Sequence, residues 1–487
     1  MKRILTTIAL AATISFTTMA QVNLNDKEYL HPREDGKIEL LFGPDFYSCE
    51  SHNDTTMVAQ LYREWGEYTR QHPTDGIGWR NYSGVLQTYW MKRGWGEESQ
   101  KARINYAQRL RESIPDTYTY YYMMIHYSSV EDPDDNGEKW ALAKYKYACK
   151  AMDVLPDDVT NYDMNELISI MMDNRDTLRT NKLLFELYDR RLISPNVLQY
   201  HFNELQGMPD SALYLGNGHG DIIPKLIIQN VMGLHRDKVF YNQGICFNKD
   251  YNAQSFKSLG VPELDFDKWL RIHGTWSNED WDRQFDWNKE VVQHLCNHSP
   301  RPVYFSANGL SSDWLTDSLR ARLYNEGLTL RYSATPYDNF AVKRRNIDQR
   351  YLLEYLLYEF QKPKNEWHRG WRWGDSENDY AENYIKLFKD QLPWYKKNDR
   401  EGYLRLGRLF FRIMVGPWIT TFRQMADTGE GELAEGKTMQ DLEKALKELE
   451  DIEKNRIEEF LKDIEDTEKK AKEADKNAET TNNPEKK

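Results

Sequence analysis

The residues of this chain best suited to chemistry sit in a few short stretches. The first is Gly216-Asn217-Gly218-His219-Gly220-Asp221, between the apolar run 212–215 and a longer apolar run over 222–234. Glycines at a strand-to-helix junction permit a tight turn, and the amides of a helix start attract anions. Asn217, Gly218, His219 and Asp221 are therefore the candidate ligand-binding residues, with His219 the one to test. Asp221 is placed to be the helix N-cap, with Pro224 inside the first turn. The run contains neither G-K-[ST] nor G-x-G-x-x-G, which argues against a nucleotide. A purely structural turn would use the same residues.

His294-x-Cys296-x-His298 is the second stretch. On a helix His294 and His298 share a face at i, i+4, as zinc ligands can, but no acidic residue completes an H-E-x-x-H arrangement. Asp282, Asp286 and Glu290 lie at helical spacing among Trp281, Phe285 and Trp287. Paired carboxylates beside aromatics serve sugar chemistry, whereas a solvated face beside a packed one gives the same pattern. No Gly-x-Ser-x-Gly elbow appears. The sequence thus assigns no catalytic residue, no metal ligand and no cofactor.

The elements that would position these residues are mostly helices. From 55 to 210, proline recurs at Pro73, Pro115, Pro156 and Pro195, each between one helical pattern and the next. Proline lacks the amide donor for a helix interior and suits a boundary. Around 211 the texture changes: residues 212–215, 238–241, 302–305 and 328–332 read as short strands, and 314–325 as a helix. Short apolar strands alternating with helices predict a small parallel α/β layer. Residues 346–422 return to a helical, aromatic-rich pattern; 406–420, interrupted by Arg408, Arg412 and Pro417, reads as a buried helix and not a membrane span. Leu442, Leu446, Leu449, Ile452, Ile457, Phe460 and Ile464 then mark a long charged amphipathic helix, whose heptad register slips after Ile452.

The expected fold is mainly α with an α/β module. Residues 1–20 form a signal peptide, 21–210 a helical-repeat domain, 211–340 the α/β module and 341–428 a helical domain. Residues 429–487 form the charged helix and a disordered tail.

Two resemblances attach to these segments. Tyr106-Ala107-Gln108-Arg109-Leu110 before Pro115, and Tyr147-Ala148-Cys149-Lys150-Ala151 before Pro156, resemble the closing helix of a tetratricopeptide repeat. Trp79, Tyr82, Ser83 and Leu86 fall where that family's W-x-x-L-G-x-x-Y pattern would place them. The prolines are spaced more widely than that family's repeat, so longer loops or irregular units are implied.

Asn217, Gly218, His219, Gly220, Asp221 and Pro224 resemble the N-G-D-N-D-x-x-P pattern of the extracytoplasmic module of bacterial protein O-mannosyltransferase-like membrane proteins. Gln229, Val231, Gly233, Asp237 and Asn242 continue the match, and Arg301-Pro302-Val303-Tyr304-Phe305 is similar to that family's R-P-I-Y-F strand. The likeness covers roughly 211–335. His219 and Gly220 replace Asp-Asn, and no counterpart of the membrane-embedded half is found. The resemblance therefore implies a shared module that recognises a protein, a lipid-linked sugar or an envelope component, without transferase activity.

Composition bounds the setting. The chain has 487 residues, a net charge of −12 and 31 Tyr, 15 Trp and 18 Phe. The acidic balance argues against a nucleic-acid surface, and the aromatics predict flat side chains packed between helices with their polar tips wet. Met1-Lys2-Arg3, the apolar 4–18 run and small Thr18 and Ala20 form a signal-peptide layout without a lipobox cysteine, which predicts a periplasmic or other extracytoplasmic address. Cys49, Cys149, Cys246 and Cys296 allow two disulfides there or serve as small buried hydrophobes. The expected function is that of an exported, non-enzymatic envelope protein acting as a scaffold for protein partners in a cell-envelope assembly. The alternative is an accessory enzyme or glycan-binding protein using the Asn217–Asp221 loop.

Overall fold

The computed structural model describes residues 30–32, 53–130, 138–273, 281–307, 315–353, 376–428, 438–466 and 469. The expected signal peptide, Cys49 and the polar tail 473–487 lie outside these residues.

The helices Thr55–Gln71 (α1), Gly76–Arg93 (α2), Glu97–Ser113 (α3), Tyr118–Tyr127 (α4), Glu138–Asp153 (α5), Asn161–Asp173 (α6), Thr177–Asp189 (α7) and Pro195–Gly207 (α8) come first. Most begin on an oxygen side chain that accepts the first free amides: Asp54, Asp75, Thr117, Thr160, Asp176 and Ser194. Pro73, Pro115 and Pro156 lie in the turns between α1 and α2, α3 and α4, and α5 and α6, and Pro195 opens α8. Each is where a missing amide costs nothing.

One aromatic core fills this part. Trp65, Trp79, Tyr106, Tyr122 and Tyr127 are among its buried side chains. Their polar tips are bonded inside the protein and not wet as the composition suggested. Tyr106 Oη donates to the Trp79 carbonyl (2.9 Å), Trp65 Nε1 to the Leu30 carbonyl (3.0 Å) and Trp79 Nε1 to the Pro73 carbonyl (2.9 Å). A buried hydroxyl or indole left without a partner would be strongly unfavourable, so each ring fixes a helix contact as well as filling space.

The module that follows contains Leu213–Gly216 (β1), His219–Leu226 (α9), Val239–Asn242 (β2), Lys249–Leu259 (α10), Phe266–His273 (α11), Trp281–His298 (α12) and Val303–Ser306 (β3). Asp317–Arg320 (α13), Leu323–Asn325 (β4) and Thr329–Tyr332 (β5) complete it. A π-helical turn, Ile227–Val231, extends α9. The sheet order is β2-β1-β3-β5-β4. β1 pairs in parallel with β2 and β3, whereas β3–β5 and β4–β5 are antiparallel.

The expected parallel layer is thus a mixed sheet. The helix expected over 314–325 shrinks to α13, and its end becomes β4. The reason is the short link: Gly327, at φ 130, turns the chain back within three residues, which only a hairpin can do. Strand parity sorts the core. Leu213 and Leu215 face the cluster holding Trp287 and Phe256, and Tyr214 faces the opposite cluster with Leu205 and Tyr304.

Asn339–Arg345 (α14), Ser376–Asn398 (α15), Arg400–Thr428 (α16) and Met439–Asn455 (α17) follow, with a further helical segment over 457–466. The expected single long charged helix is interrupted at Arg456, close to the register slip. Both pieces bury their apolar faces, through Leu449, Ile452, Phe460 and Leu461, in a core shared with Phe410 and Phe411. Arg423–Glu450 (2.7 Å) and Lys396–Glu465 (2.9 Å) tie their charged rims to α16 and α15. Among the described residues, no helix is long and apolar enough to cross a membrane.

Candidate functional site

The candidate loop links β1 to α9. It lies at the carboxyl ends of β1 and β3, where the strand order changes direction from β1–β2 to β1–β3, the place where open α/β sheets bind ligands. Gly218, at φ 127, adopts a conformation that side chains rarely tolerate. It, and not Asp221, is the N-cap of α9. This corrects the sequence expectation. With no side chain at the cap, Asp221 one turn in can fold its carboxylate back. It accepts the Asn217 amide (3.1 Å) and the Tyr214 hydroxyl (2.8 Å).

Beneath the loop is a buried charged centre. His201 and Glu204 project from α8 at i, i+3, Asp221 and Lys225 from α9 at i, i+4, Tyr214 from β1 and Ser306 from the end of β3. The Lys225 Nζ lies 2.6 Å from Glu204 Oε2, 2.6 Å from Asp221 Oδ1 and 2.8 Å from His201 Nδ1. Its side chain and that of Glu204 are fully buried, and Nζ stands 4.2 Å from the centre of the Tyr214 ring. Ser306 Oγ donates to the other Glu204 oxygen at 3.1 Å.

The proton inventory follows from geometry. His201 Nδ1 lies 2.8 Å from Glu204 Oε2, a contact that needs a proton between two atoms that otherwise both accept. Burial pushes the Glu204 carboxyl above its ordinary value, with Lys225, Ser306 and Tyr214 pulling the other way. Burial, reinforced by the Lys225 ammonium, holds His201 well below the ordinary imidazole range. Lys225 is the cation between the Glu204 and Asp221 carboxyls.

His201, Glu204 and Asp221 also offer three ligand atoms within 4.8 Å of one another, a set suited to a divalent cation. Lys225 fits that set from within. Its ammonium nitrogen lies within 2.8 Å of one atom of each of the three residues and supplies the positive charge an ion would bring. The centre is closed by its own lysine.

The remaining candidates separate. His219 points away from the centre, its Nε2 2.9 Å from Asp173 Oδ1 at the end of α6. The structure therefore does not bring His219 and Asp221 together on one ligand. His294 Nε2 bonds the Pro262 carbonyl (2.8 Å) and His298 Nδ1 the His294 carbonyl (2.9 Å), so each ring is engaged locally. Asp286 and Glu290 are exposed beside the buried Trp287, the solvated-face arrangement; the side chain of Asp282 lies outside the described residues. Among the described cysteines, Cys246 and Cys296 are buried free thiols and Cys149 a half-buried one.

Sequence reading missed His201, Glu204, Tyr214, Lys225 and Ser306. One signal was present: Lys225 is the lone charge in Ile222-Ile223-Pro224-Lys225-Leu226-Ile227-Ile228, and a lysine in an apolar helix requires buried partners. No family model, curated protein or solved structure matches this chain.

Proposed function

We propose that the chain is an exported, non-enzymatic component of the cell envelope, a scaffold that holds protein partners through its helical part. The observation that carries this reading is the filling of the polar centre by Lys225: the space a substrate would need beside Asp221 is taken by a fully buried side chain. A second observation supports a docking role. Leu178 is 82% exposed and Phe185 53% exposed, on one side of α7 with Tyr188 nearby. Large apolar side chains grouped on a surface mark interaction sites.

In this reading residues 55–210 are irregular tetratricopeptide-type units, and 211–335 is a module related to that of the O-mannosyltransferase-like membrane proteins. The address rests on the signal-peptide layout of residues 1–20.

One feature favours the alternative, an accessory enzyme or glycan-binding protein. The charged centre lies at the strand ends where such sheets bind ligands. Envelope fractionation followed by affinity capture separates the two. A scaffold co-purifies with envelope proteins in fixed ratio, whereas glycan binding or turnover by the purified chain, abolished at His219 or Asp221, rejects the scaffold.

A further inference from the structure

Helix α7 has two unlike faces. Thr180, Leu183, Leu184 and Leu187 are buried against the helical part of the chain. The opposite face carries Leu178, Lys182, Phe185 and Asp189, all exposed, at the i, i+4, i+7, i+11 spacing that makes one stripe along a helix. The other two charges of α7 are engaged within the chain, Arg179 with Asp176 (2.6 Å) and Glu186 with Arg190 (2.8 Å). Lys182 and Asp189 are therefore the charges that the stripe itself presents.

Their order along the stripe is close to symmetric about the aromatic ring. Lys182 stands three residues before Phe185 and Asp189 four after it. With 3.6 residues per turn, both lie on the same flank of Phe185. A pattern of this kind complements itself when it is reversed. Laid antiparallel on a copy about a two-fold axis, Phe185 meets the partner's Phe185, and Lys182 faces the partner's Asp189. The charge contact then forms twice, as the symmetry of such an interface requires. A parallel copy would instead set Lys182 against the partner's Lys182.

We infer that α7 packs antiparallel on α7 of a second copy of this chain, with Phe185 at the two-fold axis and Lys182 paired with the partner's Asp189. The inference rests on the reading of α7 as a docking face and names its occupant. A helix of 13 residues is about 20 Å long. Two of them bury less than the roughly 1,200–2,000 Å² of a standard interface, so the dimer is a weak one. Its expected dissociation constant is about 10–100 μM.

Sedimentation equilibrium of the full chain over about 1–300 μM tests this. Wild type should show a monomer–dimer equilibrium in that range, and Phe185→Glu should stay monomeric. Lys182→Glu alone and Asp189→Lys alone should each associate at least about tenfold more weakly, because like charges then face each other. Mixed one to one, these two variants should regain wild-type affinity, since each supplies the charge that the other lost. Misfolding could not produce that rescue. A monomeric wild type, or a mixture no tighter than its separate components, overturns the dimer. If envelope proteins are still captured through α7 in that case, the scaffold reading stands without it. If the dimer forms and no other envelope protein is captured, the scaffold reading fails and the dimer stands.

Discussion

The Nζ of Lys225 and Oε2 of Glu204 lie 2.6 Å apart, and both side chains are fully buried. They join α9 to α8 across the face of β1, and they decide how the glycine-rich loop above them is to be understood. Removing the ammonium takes the counter-charge from both the Glu204 and the Asp221 carboxyl groups, so Lys225 holds α8 and α9 in one arrangement.

Lys225→Met removes the ammonium and leaves Asp221 and Glu204 facing each other. Its expected effect is a loss of about 3–5 kcal/mol in folding stability. Glu204→Gln keeps shape and hydrogen bonding while leaving the Lys225–Asp221 pair balanced, so it should lose less than about 1.5 kcal/mol. Urea unfolding of the two variants checks the contrast; equal losses would contradict the role of Lys225 as the counter-charge shared by Glu204 and Asp221.

The pH dependence has a definite sign. Glu204 is raised above its ordinary 4.5, so its contribution is complete below that value and is lost as pH rises through the folded one. His201 is depressed, so its contribution is present above the ordinary 6.5 and lost as pH falls through the folded value. Glu204→Gln removes the first of these. The stability difference between that variant and wild type should shift in the variant's favour as pH rises from 4.5, and urea midpoints across pH show whether it stays flat instead.

A second buried carboxylate behaves oppositely. Burial works to raise Glu166, yet His126 (3.3 Å) and the Tyr122 hydroxyl (2.6 Å) hold it down at about 2. Its stabilising effect is present above 4.5 and lost as pH falls towards 2. Glu166→Gln should cost about 1–3 kcal/mol at neutral pH, with the gap to wild type closing in acid. A gap of constant size would place the effect in packing.

How much of this was legible beforehand varied with the physics. The prolines at 73, 115, 156 and 195 mark helix junctions because a missing amide is a local property, and all four lie at such junctions. Strands 213–216 and 303–306 were visible as apolar runs. The β4–β5 hairpin was not, since Leu323–Asn325 is too short to show a period and only its pairing with β5 makes it a strand. The candidate loop was found, but its chemistry was not. Asp221 was legible as a helix start, whereas Glu204 and His201, which share Lys225 with it, come from a helix that only the fold brings near. His219 drew notice through its motif position and proves to pair outward with Asp173.

His219→Ala breaks a pair that is partly exposed, so thermal unfolding should show a change of no more than about 1 kcal/mol. A larger loss would make His219 part of the packing of α9 on α6.

The most direct test of the scaffold is affinity capture from crosslinked envelopes with wild type, Leu178→Glu/Phe185→Glu and His219→Ala side by side. The account predicts that envelope proteins captured in fixed ratio by wild type remain with His219→Ala and are lost with the α7 double variant, whose melting temperature is unchanged. Capture lost with His219→Ala and kept by the double variant would contradict it.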